Sequence, residues 1–168
     1  FCVVIEIKER MDSMTNKTVF DVIDLGVNYL LSGYEKWGVD EVIDNKAEVF
    51  PNTILWQYGH VLSVFESALS LCEQNVVDVP YYSSIFGYGS SPENWGDQEI
   101  PSLDEIFSHI KTLPERARTL TDVQLSQELT ETIAGCDTLD ELLTLNAVHI
   151  PLHAGKIEEM TRVLKAHR

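Results

Sequence analysis

"NAVHIPLHAGKI" (residues 146–157) decides how the chain is read, because it sets His149 and His153 one helical turn apart with Pro151 between them. Around it, Leu142, Asn146, His149, His153, Ile157, Met160 and Leu164 recur in steps of three and four, which places them on one helical stripe facing a core. Both imidazoles then point inward. Cβ atoms at an i, i+4 spacing lie about 5 to 6 Å apart, so two ring nitrogens can reach one ion at about 2.0 to 2.1 Å. The bland alternative is two core histidines satisfied by their neighbours. Pro151 removes the backbone donor to Ala147, so the spacing predicts either a kinked turn or a new helix starting at Pro151 with His149 in an extended segment.

Upstream, "FPNTILWQYGHVLSVFESALSLCEQN" is apolar around most of its circumference and reads as a buried helix two with Asn52 as N-cap. Trp56, His60, Val64 and Ser67 share a stripe on it, which makes His60 a third inward imidazole. A lone buried imidazole costs about 1 to 3 kcal/mol if unpaired, so His60 either bonds a carbonyl or a water, or joins an ion. Three inward histidines on two helices, in a chain with five, favour the ion. His109 and His167 read as exposed.

The remaining pattern is helical. Phe20, Ile23, Val27, Leu30, Leu31 and Tyr34 mark helix one from about Asn16 to Trp37. Residues 76–101 crowd proline, glycine and aromatic residues into a long structured loop with one helical turn near Tyr82 to Phe86. Ser102 with Glu105 forms a capping box for helix three, which Pro114 kinks or breaks near Leu113; "TDVQLSQEL" is a short segment, and Thr138 with Glu141 caps the last helix. No alternating strand pattern is evident. The expectation is an all-α four-helix bundle over residues 16–168, preceded by an extension, residues 1–15, whose first ten residues either pair as a strand or do not belong to the domain; Met11 or Met14 is a plausible start.

Composition narrows the partners. With 168 residues, 44% of them apolar, one core needs no disulfides. Acidic residues number 27 against 12 basic, a net charge of −15 that repels phosphate backbones and anionic membranes, and the densest basic patches are only "KER" and "KAHR". Nucleic acid and membrane are therefore excluded as partners, and the apolar opening run is too short for a span or a secretory signal. Three scattered cysteines suggest a reducing cytoplasm; Cys72 reads as a core residue, and Cys136, just before a helix, as a thiol of lowered pKa at best.

"NTILWQYGHVLSVFESAL", "IFGYGSSPENW" and "LDELLTLNAVHIPLHAGKI" together resemble the DinB-like superfamily of four-helix bundles, over about Thr18 to Leu164. The matching features are a histidine in the middle of helix two after an Asn-Thr start and a Trp, and a HxxxHxG motif in the last helix: His60, His149, His153 and Gly155. The resemblance implies a divalent metal, commonly nickel or zinc, on those three histidines. It further implies a thiol-dependent transferase or isomerase using bacillithiol, mycothiol or glutathione. Lys156 stands where the family usually has glutamine, and Pro151 is unusual between the histidines. The function expected is a metal-dependent thiol S-transferase acting on small electrophiles, with Trp56, Lys156, Tyr82 and Phe86 at the pocket rim and the Tyr81–Trp95 loop as a wall. The alternatives are a non-catalytic metal-stabilised bundle and a metal-dependent hydrolase, for which Glu66 and Asp21 are the only nominated bases. The oligomeric state, a homodimer included, stays open.

Overall fold

The computed structural model describes the backbone of residues 2–166 and the side chains of residues 18–166. The side chains of Cys2, Met11 and Met14, and all of His167, lie outside the described residues. The chain is mostly helical, and its three long helices share one core. Helix α1 (Cys2–Trp37) buries Phe20, Ile23, Val27 and Leu30, the stripe its sequence announces. Its first ten residues are helical and pair with no strand. Extending an existing helix adds a hydrogen bond for each residue fixed, whereas a strand needs a partner these residues do not have. At the other end Gly38, at φ 64, takes the left-handed conformation that terminates helices, and Lys165 Nζ donates to the Trp37 carbonyl at 2.7 Å.

Helix α2 (Ile54–Ser70) is capped by Thr53, one residue after the expected Asn52: Thr53 Oγ1 accepts from the Trp56 amide at 3.2 Å. Helix α3 (Val79–Phe86) is longer than the single turn expected, because Asp78 accepts from the Tyr81 amide at 3.0 Å and Pro80 sits in the first turn, where its missing donor costs nothing. The chain from Gly87 to Pro101 is irregular but tied down. Trp95 Nε1 donates to the Ile85 carbonyl at 3.0 Å, and the Tyr81 hydroxyl donates to the Glu99 carbonyl.

Pro114 breaks helix three into α4 (Leu103–Ile110) and α5 (Leu113–Arg118), taking the first turn of the second piece. Ser102 caps α4, but the expected reciprocal bond is absent: the Glu105 carboxylate accepts instead from the Tyr82 hydroxyl at 2.6 Å. A capping box does form at Thr121 and Gln124, opening α6 (Asp122–Leu125). A hairpin then appears where no strand was expected, β1 (Glu128–Ile133) and β2 (Cys136–Thr138), antiparallel, with a change of register between the pairs Glu128–Thr138 and Ile133–Cys136. It turns on Ala134 (φ 51) and Gly135 (φ 85), the two positive-φ positions of a tight hairpin turn.

Helix α7 (Leu139–Ala166) runs unbroken through Pro151, so the reading of a fresh helix at the proline is overturned. It lies between α1 and α2. Alongside α1 it runs parallel: a Cβ on Gly26 would sit 3.3 Å from both Ile150 and Pro151, and the Tyr29 hydroxyl donates to Glu158 at 2.9 Å. Against α2 it runs antiparallel, which sets His60 and Gln57 opposite His149 and His153. No helix among the described residues is long and apolar enough to cross a membrane.

Candidate metal centre

His60, His149 and His153 converge, their candidate ligand nitrogens all within 4.8 Å of one another. Ring centroids are 5.1 Å apart for His60–His149, 5.0 Å for His60–His153 and 4.4 Å for His149–His153. Two of the rings are held from behind. His60 Nδ1 lies 2.6 Å from the Phe86 carbonyl, and a carbonyl can only accept, so the proton sits on Nδ1 and the Nε2 lone pair is free. His153 Nδ1 lies 2.7 Å from Gln57 Oε1, which imposes the same tautomer. Such outer partners orient metal-binding imidazoles and raise their basicity. His149 Nδ1 is buried without a hydrogen-bond partner, an orphan that an ion shared by this cluster would satisfy.

Electrostatics favour the neutral, ligating form. Burial, with a smaller push from the His60 ring, lowers the His149 pKa to about 4. Burial followed by His149, His60 and Lys156 lowers His153 to about 3. His60 is lowered as well, mainly by burial, with Lys156 adding and the Phe86 carbonyl opposing. Metal uptake at pH 7 is therefore expected to release almost no protons, and calorimetry in buffers of different ionisation enthalpy should return the same heat. These imidazoles take protons more readily unfolded, at the ordinary value of 6.5, than folded. Their contribution to stability is complete above about pH 6.5 and falls away toward pH 4 and below, by up to about 1.4 kcal/mol per pH unit for each histidine titrating. Thermal melts of the metal-free protein from pH 7.5 to 4 should show that decline; a flat profile would mean the rings are solvated.

The cluster opens on a cleft of about 660 Å³ lined also by Trp56, Ser90 and Lys156. The Trp56 indole stacks on the His60 ring, 4.5 Å between centroids and 11° between planes, while its Nε1 donates to Ser90 Oγ at 2.9 Å. Trp56 and Lys156 thus stand where the sequence puts them. Tyr82 and Phe86 do not line the cleft. Tyr82 is buried and engaged with Glu105; the Phe86 ring lies in the core, and its contribution is its carbonyl. Of the aromatic loop, Tyr88 reaches the cleft, whereas Trp95 braces the Ile85 carbonyl.

Neither nominated carboxylate reaches the histidines. Glu66 is fully buried and bound to Arg116 and to the Val76 amide, and Asp21 is exposed and paired with Arg118. No acidic residue lines the cleft among the described residues. Cys136 is buried beside Glu141 and Asp137, and burial followed by these charges pushes its thiol up, so its place before a helix does not lower it. His109 is half-buried and apart from the site.

Gln57 and Gly59 escaped the sequence reading. A Cβ on Gly59 would run into the Phe86 ring, so the glycine lets α3 close onto α2 and brings the Phe86 carbonyl to His60. A glycine five residues past a Thr-Ile start and next to a buried histidine is the only signal the sequence carries for this. Gly59→Ala is expected to weaken metal affinity about 10- to 100-fold by loosening that carbonyl, and to cost roughly 1 to 3 kcal/mol of stability. Competition with a chromophoric chelator reads the first and urea denaturation the second.

No family model matches this chain, and no curated protein matches it either.

Proposed function

We propose that the chain is a DinB-like four-helix bundle in the cytoplasm. In this reading it holds one divalent ion, nickel or zinc, on His60, His149 and His153, and joins a low-molecular-weight thiol through its sulfur to a small electrophile. The observation that carries it is the convergence of three neutral imidazoles, two of them oriented from behind, on an open cleft. A closed structural site fills its coordination with protein; three ligands beside a cleft leave room for a reactant. A bound divalent ion would supply a Lewis acid that favours the thiolate over the thiol at neutral pH.

The chain's own residues do the rest. The Lys156 ammonium places positive charge on the cleft, which favours an anionic sulfur. Trp56 fixes the His60 plane and walls the cleft with an apolar face, and Ser90 holds the indole by its N–H. Transfer forms one carbon–sulfur bond as the electrophile's leaving group departs with its electron pair, and the thiol proton passes to solvent. Hydrolysis is less favoured, because activating water calls for a general base and no carboxylate lines the cleft among the described residues.

The test is incubation of metal-loaded protein with bacillithiol, mycothiol and glutathione, each against a panel of alkyl halides and epoxides. Metal-dependent thioether formation is expected with one thiol. Turnover nowhere in the panel would overturn the transferase reading, and metal-dependent ester hydrolysis would replace it with the hydrolase.

A further inference from the structure

The groove between α2 and α7 continues past the histidines. Toward the C-terminal end of α2 it opens into a second cavity of about 350 Å³, bounded by Ser67 and Leu71 of α2, Leu142 and Asn146 of α7, and Ile133 and Ala134 at the hairpin tip. Cavities of this size hold small ligands. Tyr88, fully exposed, lies on both this cavity and the histidine cleft, so the two are neighbours along one groove. From Ser63 to Leu71 the helix rises about 12 Å at 1.5 Å per residue.

Two features say what would fit. Among the described residues none that lines it is charged, in a chain whose net charge is −15, and Ile133 and Leu145 keep apolar side chains 41% and 39% exposed at the rim. Apolar side chains left open at the mouth of an uncharged cavity suit an apolar ligand. Asn146 supplies the second feature. It is 2% exposed, its Nδ2 donates to the Leu142 carbonyl at 2.9 Å, and its Oδ1 is buried with no partner. A buried acceptor is rarely left unpaired unless something absent completes it. Asn146 lines this second cavity, one helical turn from His149 on the histidine cleft.

We propose that the second cavity is a subsite for the neutral alkyl portion of a medium-chain amphiphile, whose hydroxyl or amide N–H meets Asn146 Oδ1 and whose head lies at the histidines. Placement of the head rests on the metal reading above; the alkyl subsite does not. The substrate class that follows is an apolar electrophile or thiol with a flexible chain, in place of a small polar one.

Unbranched alkanols from butanol to nonanol carry a chain and a donor but no metal-binding head, so they separate the two readings. In NMR titrations of the full chain, metal-loaded and chelator-treated, they are expected to perturb Ser67, Leu142 and Asn146. Affinity should rise about fourfold for each methylene until the cavity is full. Leu145→Glu, at the exposed rim, should weaken octanol at least tenfold. Wild-type protein should prefer octanol to a methyl ether of equal length about fivefold, and Asn146→Leu should abolish that preference. Perturbations elsewhere, or affinity indifferent to chain length, would overturn the subsite. Alkanol binding in a protein that takes up no metal would leave the subsite standing and remove the head-group placement; metal uptake without alkanol binding would do the reverse.

Discussion

His60→Ala is expected to lower metal affinity by about 100- to 1000-fold. Structural zinc sites with four ligands bind with roughly 10 to 16 kcal/mol, or about 2.5 to 4 kcal/mol for each ligand. His60 should sit at or above that mean, because α2 brings no other imidazole to the cluster and the His60 Nδ1 proton is fixed on the Phe86 carbonyl at 2.6 Å. Losing it leaves two imidazoles of one helix, His149 and His153, which α7 alone presents. Elemental analysis of untagged protein should find about one equivalent of metal in the wild type and almost none in the variant. Equal metal content in both would dissolve the three-histidine centre. A matched Trp56→Phe variant, which keeps an aromatic face on the His60 ring, should retain the metal and serve as the control.

The largest effect on stability is expected away from the site, at Arg116→Ala. Glu66 is fully buried, its two oxygens taken by Arg116 Nη2, by Arg116 Nη1 at 3.3 Å and by the Val76 amide at 3.0 Å. Arg116 Nη1 also donates to the Gln74 carbonyl at 3.1 Å, so the pair fastens α5 and the turn after α2 to the core. Removing the guanidinium strands a carboxylate in the interior, which costs about 3 to 5 kcal/mol. With a denaturant slope of about 2 kcal/mol per molar urea, the midpoint should fall by roughly 2 M. Replacing both partners, Glu66→Leu with Arg116→Met, should recover most of that, because well-packed apolar pairs match buried ion pairs. A loss under about 1 kcal/mol for Arg116→Ala would mean that water reaches Glu66.

The long helices and the histidine cluster were legible because both depend on short-range periodicity. Steps of three and four put Phe20 to Leu30 in the core and turned His149 and His153 to one face, and the same rule carried His60 inward. What periodicity does not encode is which neighbour satisfies a polar group. The Glu105 carboxylate matched a local capping rule, yet a tyrosine 23 positions away took it. Gln57 looked like one more residue of a buried helix until α7 brought His153 to it across 96 positions. The hairpin was invisible for another reason: Glu128 to Ile133 is almost wholly exposed, so no alternation of apolar and polar residues marks it, and its turn holds Ala134 where asparagine or glycine would have been the signal. Pro151 misled in one of its two readings because packing against Gly26 and the rest of α1 keeps α7 helical where an isolated peptide would break.

The antiparallel seam between α2 and α7 has a kinetic corollary. Its donors lie some ninety residues apart in the sequence, so the cluster is assembled only once that long loop has closed, a step whose entropy cost slows folding. An ion held there would work as a clasp fastened last: it would retard the opening of the native state and leave the rate of its formation nearly untouched.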